Sequence, residues 1–432
     1  IRNPKSEIRN PKSEIRNQKS QIIMKPIIEE ITLEGHIIDS WSLPRVWDRI
    51  MDHGGEFELV EIRVGKQKEE TSFAHMKIFT DTVAEMDALL AALTELGAVV
   101  VAPGDVQTEA APRDGALPDD FYSSTNLPTQ VRLGGRWVDA ANTEMDLAIV
   151  IDRAQNTAAM IPMTDVKQGD AVVVGHDGIR VQPLERSRDK EIFSFMNADV
   201  SSERPKRLVI AQVAREMRAT RARGGKILFV GGPAIVHSGA APYLARLIRA
   251  GYIQVLFSGN ALAVHDCEAA IFETSLGVAL RTGQPVEGGH RHHMRAINMI
   301  RRAGSLRQAV AQGILKSGIM YEAVNAQIEM VLAGSVRDDG PLPDVVTDMM
   351  AVQKQMRAAV RGVELALMVS TMLHSIATGN MLPAWVKTVA VDINPAVVTK
   401  LADRGTFQAL GLVTDAELFL RELAEELETK TE

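Results

Sequence analysis

Between Ile227 and Asp266 the hydrophobic pattern changes several times within a short span, ILFVGGPAIVHSGAAPYLARLIRAGYIQVLFSGNALAVHD. The unbroken apolar run from Ile227 to Val230 reads as a strand buried on both faces, and it stops at Gly231-Gly232. From Ala240 the pattern becomes helical. Pro242 sits where a first turn tolerates it, Leu244, Leu247 and Ile248 share one face, and Gly251 marks the stop. A second apolar strand, Ile253 to Phe257, follows at once. Strand, glycine turn, helix and strand make a βαβ unit, whose turn and helix N-terminus can hold the phosphates of a dinucleotide. The glycines at 231, 232 and 239 do not keep the G-x-G-x-x-G spacing, and Ser258-Gly259-Asn260 stands where an acidic ribose ligand is usual. Spacing alone therefore leaves open a glycine-rich turn of some other α/β protein.

Upstream, residues 27–102 read in the order β-α-β-β-α-β, a ferredoxin-like module. IIEEITLEGHI alternates, Pro44 to Asp52 is a short helix ending near Gly54-Gly55, FELVEIRVG and TSFAHMKIF pair as a hairpin, DTVAEMDALLAALTELG is amphipathic, and AVVVA closes the unit. Such modules bind small ligands or mediate subunit contacts. Residues 103–128 form a proline- and acid-rich linker, in which Phe121 to Asn126 either line a ligand cleft or make a capped turn. Short strands in VRLGGRWV, AIVID, DAVVVG and IRVQPL predict a small β subdomain over 129–200. Residues 204–425 read as one large Rossmann-like α/β domain. A helix is expected to start near Asp266. WVKTVAVDINPAVVTKLADRG is a second strand-to-helix step, with Asp392 at the strand's end, Asn394-Pro395 opening a helix and Gly405 capping it.

The first 23 residues break this picture. IRNPKSE, IRNPKSE and IRNQKSQ repeat with one apolar residue per seven and with Pro4 and Pro11 inside, so they can build neither a core nor a coiled-coil seam. Residues 1–23 are expected to be a disordered leader, with Met24 the natural start. The formal net charge is −7, and the leader carries six Lys/Arg against two Glu, so the remainder carries −7 − 4 = −11. That argues against a nucleic-acid or anionic-membrane partner. The single cysteine, Cys267, excludes an intrachain disulfide framework and suits a reducing, cytoplasmic setting. Val363 to Ala377, the longest apolar stretch, is too short to span a bilayer.

Several polar groups stand out. His36, His53 and His75 lack metal-ligand spacing and read as structural or surface groups. His290, His292 and His293 do not converge as an i, i+4 pair would, and no metal is expected there. Basic residues at a helix start suit an anion, which makes Arg291 and His292 candidates for phosphate or carboxylate contacts. In VLAGSVRDDGPLPDV, Arg337, Asp338 and Asp339 follow a strand, where a guanidinium and carboxylates can hold a zwitterion or simply form a solvated turn.

GHIIDS, FYSSTNLPTQVRLGGRWV, VGGPAIVHSGA, SGNALAVHDCEAA, GGHRHHMRAIN, GSVRDDGPLPDV, TMLHSIATGNMLP and VAVDINPAVVTKLADRG together resemble the lysine-ketoglutarate reductase/saccharopine dehydrogenase (LOR/SDH) family. That family includes the archaeal-type, NAD-dependent ornithine cyclodeaminases and the C-terminal portion of bifunctional arginine dihydrolase/ornithine cyclodeaminases, and the resemblance runs from about Ile27 to Leu420. It implies a Rossmann-like fold related to deoxyhypusine synthase, and conversion of L-ornithine to L-proline and ammonia by transient hydride transfer to tightly bound NAD; a homo-oligomer is expected because parallel-sheet domains of this kind commonly pair. Under that resemblance Gly231, Gly232, Pro233, Ser238, Gly239, Asn260 and Ala261 are expected at the cofactor, with Asp392 and Asn394 at its adenosine end. His265 and Asp266 are the nearest acid/base pair, although a His oriented by Asp also serves packing alone. Lys316 is a further base if burial lowers its pKa. Arg337, Asp338 and Asp339 are candidates for the substrate's carboxylate and amines. Two alternatives remain: an NAD(P)-dependent dehydrogenase of amino or imino acids in lysine metabolism, and a non-catalytic sensor of NAD or amino acids.

Overall fold

A computed structural model describes residues 27–38, 40–67, 70–101, 103–182, 206–403 and 409–428. The leader, the last part of the expected β subdomain (183–200) and Gly405 lie outside the described residues. Among the described residues no helix is long and apolar enough to cross a membrane.

The first unit runs β1 (Ile27–Gly35), α1 (Ser42–Asp52), β2 (Glu56–Arg63), β3 (Ser72–Thr80), α2 (Val83–Thr94), β4 (Val99–Val100). Its sheet has the order β2-β3-β1-β4, antiparallel throughout. Alternation explains the layer: Ile31 and Leu33 on β1, and Ala74, Met76 and Ile78 on β3, are buried against Val46, Ile50, Leu89 and Leu93 of the two helices. Thr82 caps α2 in a reciprocal box with Glu85.

The second unit is a seven-stranded sheet: β5 (Gln107–Ala110), β6 (Thr129–Leu133), β7 (Arg136–Ala141), β8 (Ala148–Asp152), β9 (Thr157–Ile161), β10 (Ala171–Val174) and β11 (Ile179–Val181), in the order β11-β6-β7-β9-β8-β10-β5. Two features correct the sequence reading. The stretch expected to be only a linker contributes β5, which pairs along β10 from Ala171 opposite Ala110 to Val174 opposite Gln107. TAAMI, too short and small to stand out by pattern, is β9.

The third unit begins with α3 (Lys206–Ala222) and β12 (Lys226–Gly231). Next come α4 (Ala234–His237), α5 (Ala241–Arg249), β13 (Val255–Gly259) and α6 (Asn260–Phe272), then the hairpin β14 (Thr274–Ser275) and β15 (Val278–Ala279). Helices α7 (His292–Ala303), α8 (Leu306–Ala311) and α9 (Ile319–Asn325) lead into β16 (Glu329–Ala333) and β17 (Val345–Val346). The chain ends with α10 (Met349–Ala359), β18 (Val363–Val369), α11 (Leu373–Met381), β19 (Lys387–Asp392), α12 (Pro395–Asp403), β20 (Ala409–Val413) and α13 (Ala416–Glu428). All seven strands of its sheet are parallel, in the order β17-β16-β13-β12-β18-β19-β20. The chain builds outward from β12 in one direction, crosses over, and builds from β18 in the other. The topological switch therefore falls between β12 and β18, where an open α/β sheet offers its ligand crevice at the carboxyl ends. Burial on both faces explains the unbroken apolar runs: Ile227, Leu228, Phe229 and Val230 are fully buried, odd-numbered ones packing with α3, α5, α6 and α13, even-numbered ones with α10 and α11.

Candidate functional site

The crevice floor is made of main chain. Gly232 follows β12 and donates its N–H to Val369 O at 3.1 Å. A Cβ there would lie 1.9 Å from Ser370 O, so this crossing of two strand ends admits only glycine. Ser370 itself has φ +52°, a left-handed conformation unusual for serine, at the end of β18. On the other side of β12, a Cβ on Gly259 would come 3.2 Å from Cε1 of His374. His374 opens α11 and reaches back over the end of β13, with Nδ1 3.4 Å from Thr371 Oγ1. Burial pushes its pKa below the usual histidine range, so it sits here as a neutral imidazole at neutral pH.

Around that floor the expected cofactor residues take the following places. Gly231 is packed tightly, its missing Cβ about equally close to Ile235, Phe229 and Leu262. Pro233 opens the single turn α4, and Ser238 and Gly239, the latter with φ +84°, form the exposed bend before α5. Asn260 and Ala261 form the first turn of α6, which has no side-chain cap, so its main-chain N–H groups are left for an anion. The Asn260 side chain is used internally: Oδ1 accepts from Leu342 N at 3.0 Å. Asp392 and Asn394 lie beyond β18, at the end of β19, where Asp392 Oδ1 accepts from Asn394 N and Asn394 Oδ1 from Ala396 N. They therefore stand across the switch point from Asn260 rather than beside it.

The expected acid/base pair is not a pair in the structure. The helix expected to start near Asp266 starts at Asn260, directly after β13, so Asp266 lies in its middle. Asp266 is fully buried, and its two oxygens accept from Ile319 N and Met320 N at 2.8 Å, capping α9. Burial raises its pKa to about 6 against the lowering effect of those two bonds. The group that does orient His265 is Glu268, one turn along: His265 Nδ1 is 3.0 Å from Glu268 Oε2. Glu268 Oε1 accepts from Thr274 Oγ1 at 3.0 Å and from Gly277 N at 3.3 Å, and Thr274 Oγ1 lies 2.9 Å from His292 Nδ1. Burial opposes the Glu268 charge, but the hydrogen bonds from His265, Gly277 and Thr274 outweigh it and hold the carboxyl below its ordinary range. The ring of His237, at the end of α4, meets His265 edge-on at 4.6 Å, and its Nδ1 is 2.7 Å from Ser275 Oγ.

The remaining candidates divide. Asp339 faces His293 at 3.8 Å, on the loop after β16 that closes over α7. Asp338 is used by its own turn, accepting from Ser335 N at 2.8 Å, and Arg337 is exposed. Lys316 is exposed on the loop before α9, which removes the burial that would have made it a base. The three histidines diverge: His292 stacks on Phe272, His293 faces Asp339, and His290 is exposed beside Arg291. Phe121 to Asn126 lies elsewhere. Ser124 Oγ donates to Glu144 O at 2.6 Å, and Asn126 O accepts from Ala384 N, in the connection that leads into the amino end of β19. This segment is a corner joining the second and third units, away from the crevice.

Glu268, His237, Ser275 and His374 were missed from the sequence. The i, i+3 spacing of His265 and Glu268 on one helix was a usable signal for the first. His237 closes α4, the turn that directly follows Gly232-Pro233, so it was readable beside the glycine turn; His374 was not, because a chain crossover brings α11 there.

An open parallel sheet with a glycine-floored crevice at its switch point, flanked by an uncapped helix start, defines a Rossmann-type nucleotide-binding α/β protein. Three family models match consecutive stretches: the LOR/SDH bifunctional enzyme conserved region over 28–127, and the first region and the Rossmann fold of the C-terminal part of ArgZ-like arginine dihydrolase over 128–210 and 211–423. A Methanocaldococcus jannaschii protein called ornithine cyclodeaminase is 52% identical over 407 residues, covering 93% of this chain and 96% of that one. The crystal structure of apo ArgZ, a cyanobacterial arginine dihydrolase, superposes with a TM-score of 0.81 at 40% identity. A ternary complex of AgrE with ornithine and NAD+ matches with a TM-score of 0.51 at 45% identity. This chain is 93% covered by each of those two structures but spans 58% of their length. The chain belongs to the LOR/SDH family, with the archaeal-type ornithine cyclodeaminases and the C-terminal regions of the ArgZ-like dihydrolases.

Proposed function

We propose that this protein is an NAD-dependent ornithine cyclodeaminase, converting L-ornithine to L-proline and ammonia as a cytoplasmic enzyme. The observation that carries this reading is the match, at 52% identity over nearly the whole of both chains, to an archaeal protein of that name. The related AgrE forms a ternary complex with the same two ligands, ornithine and NAD+.

The crevice suits the cofactor. Gly232 and Gly259 leave room where side chains would stand, and the free N–H groups of α6 suit a pyrophosphate. When bound, NAD supplies a hydride acceptor that returns the hydride within one turnover, so none is consumed. The protein's own residues then have three tasks. Gly231, Gly232, Pro233, Ser238, Gly239, Asn260 and Ala261 hold the dinucleotide on the β12–β13 side, with Asp392 and Asn394 on the β19 side. A base must take a proton from the substrate's α-ammonium and return one to the departing ammonia. Neutral His374 over the crevice floor, or His265 oriented by Glu268, would serve as that base. Asp339 and Arg337, on the loop that closes over α7, would meet the substrate's amine and carboxylate.

The test is proton NMR of the full chain with L-ornithine and a catalytic amount of NAD. Proline and ammonia in equal amounts, with NAD unchanged, are expected. NADH accumulating without proline would replace this reading by an amino-acid dehydrogenase, and binding without turnover by a sensor.

A further inference from the structure

We propose that the open edge of the ferredoxin-like sheet is a self-association surface, with β2 pairing antiparallel to β2 of a second copy about a two-fold axis between Val60 and Glu61. The surface is remote in kind from the crevice, and the proposal stands whether or not the catalytic reading does.

β2 is paired on one side only, with β3, among the described residues. Its apolar side chains are uncovered: Leu59, Val60 and Ile62 are 40%, 46% and 41% exposed, and Val64, just past its end, is 57% exposed. An edge that is both apolar and unpaired invites a partner strand. The β2–β3 register shifts between Leu59 and Glu61, so Val60 is an extra residue. The consequence is that Leu59 and Ile62, three apart, share a face. They stand opposite Met76 and Ala74, both in the core beneath the helices, as Phe57 stands opposite Ile78. Glu58 and Arg63, opposite Lys77 and Phe73, share the other face.

Rotation about an axis between Val60 and Glu61 places Leu59 against Ile62 of the partner subunit, Phe57 against Val64 of the partner subunit, and Glu58 against Arg63 of the partner subunit. Each pair joins side chains on the same face, and each occurs twice. Shifting the register by one residue puts Glu58 opposite Ile62 and mismatches the faces. Shifting by two in one direction sets Glu58 opposite Glu61 twice, with like charges facing. Shifting by two in the other direction leaves Glu58 opposite Gly65 and Arg63 opposite Val60, so of these registers only the one about Val60 and Glu61 pairs the opposite charges. The bulge, which ordinarily blunts an edge, here sits on the axis of both copies and keeps them in step. Arg63 is free to turn, with 68% of its side chain exposed while it rests on the Phe73 ring at 4.5 Å and reaches Glu61 at 3.0 Å. A strand ladder alone is a small interface. Helix α1 enlarges it, because Trp47 on that helix stacks on Phe57 of β2 at 5.7 Å, and Met51 near its end is 58% exposed. The two helical layers meet along Met51, Leu59, Ile62 and Val64.

Sedimentation equilibrium on the full chain, with a charge-swap cycle, tests the proposal. A dimer is expected in which Glu58→Arg and Arg63→Glu each weaken association by about tenfold, because each breaks two symmetric pairs, while the double swap restores it to within about threefold. Circular dichroism checks that each variant is folded. Hydrogen exchange of the β2 amides in the unmodified chain gives a second reading: protection is expected to rise with protein concentration. A monomer at ~100 µM, well above a typical dimer dissociation constant, would overturn the proposal. So would a dimer indifferent to both swaps, or β2 amides protected equally at every concentration, which would mean that another segment of the same chain covers the edge.

Discussion

Replacing Gly232 by alanine probes the crevice floor directly. The added Cβ would start 1.9 Å from Ser370 O, and contacts under 3.0 Å are essentially never made by real Cβ atoms, so the ends of β12 and β18 must part by at least 3.0 − 1.9 = 1.1 Å. The obstacle is main chain at a residue already in the left-handed region, φ +52°, so no side-chain rotamer can relieve it. Overpacking of this kind costs about 1–3 kcal/mol. Opening the strand ends also weakens the bond from Gly232 N to Val369 O, worth about 0.5–1.5 kcal/mol. A total of roughly 2–4 kcal/mol is expected in urea unfolding of the variant without NAD. NAD affinity, read by titration calorimetry, should fall in step, since the displaced atoms line the crevice. Gly224→Ala is the control: Gly224 has φ +77° with nothing within 4 Å of its Cβ, so it carries backbone strain of about 1 kcal/mol and no steric clash. If Gly232→Ala unfolds at the same urea concentration as Gly224→Ala and binds NAD as before, the crossing of β12 and β18 does not form the cofactor floor.

Other perturbations separate structural from chemical roles. Asp266→Ala leaves two buried N–H groups of α9 without acceptors and should lose about 1–3 kcal/mol of stability, while turnover per folded molecule holds. Because the folded pKa of Asp266, about 6, lies above its unfolded value of 3.8, its favourable contribution is complete below the unfolded value and fades as pH rises through about 6. The stability gap between the native chain and Asp266→Asn should follow that course in denaturation series across this range. Glu268→Gln removes the carboxylate that orients the His265 ring, so kcat should fall by about 10²-fold with NAD affinity little changed; an unaltered kcat would exclude the pair. Burial depresses His374, so its NMR titration midpoint should fall below 6.5, and the stability it contributes should be present above that value and lost as pH falls through the folded pKa.

What was readable in the sequence followed the range of the interactions involved. β12, β13 and the helices beside them were legible because burial on both faces leaves unbroken apolar runs, and glycine marks their ends. The ferredoxin-like order was legible because strict alternation in β1 and β3 reflects a sheet with one covered face. β9 and β5 were not, since TAAMI and QTEA owe their strand state to neighbours rather than to their own propensity. The site failed in the same way at longer range. HDCE offered a His with two acidic neighbours, and only the start of α6 at Asn260 decides that Asp266 turns to α9 while Glu268 turns to His265. Lys316 looked like a base only on the assumption of burial, which no local pattern encodes.

The placement of the second unit has its own consequence for the site. It is fastened to the amino-end side of the parallel sheet. Arg357 Nε lies 2.9 Å from both oxygens of Glu144, Asn126 O accepts from Ala384 N, and Ala384 itself joins the core of the seven-stranded sheet. Glu144 is held there despite burial that raises its pKa against the pull of Arg357, so removing Arg357 alone would strand a buried carboxyl. Such breakage costs about 3–5 kcal/mol, far more than the net worth of the pair. These contacts hold the second unit on the amino-end side, while the third unit sends its own excursions over the carboxyl ends. Among the described residues these are the β14–β15 hairpin that carries Ser275 to His237 and the loop that carries Asp339 to His293. Under the proposed function, the loop that carries Asp339 is the segment to test for substrate discrimination. Exchanging residues 335–341 should change KM for ornithine while leaving the affinity for NAD intact.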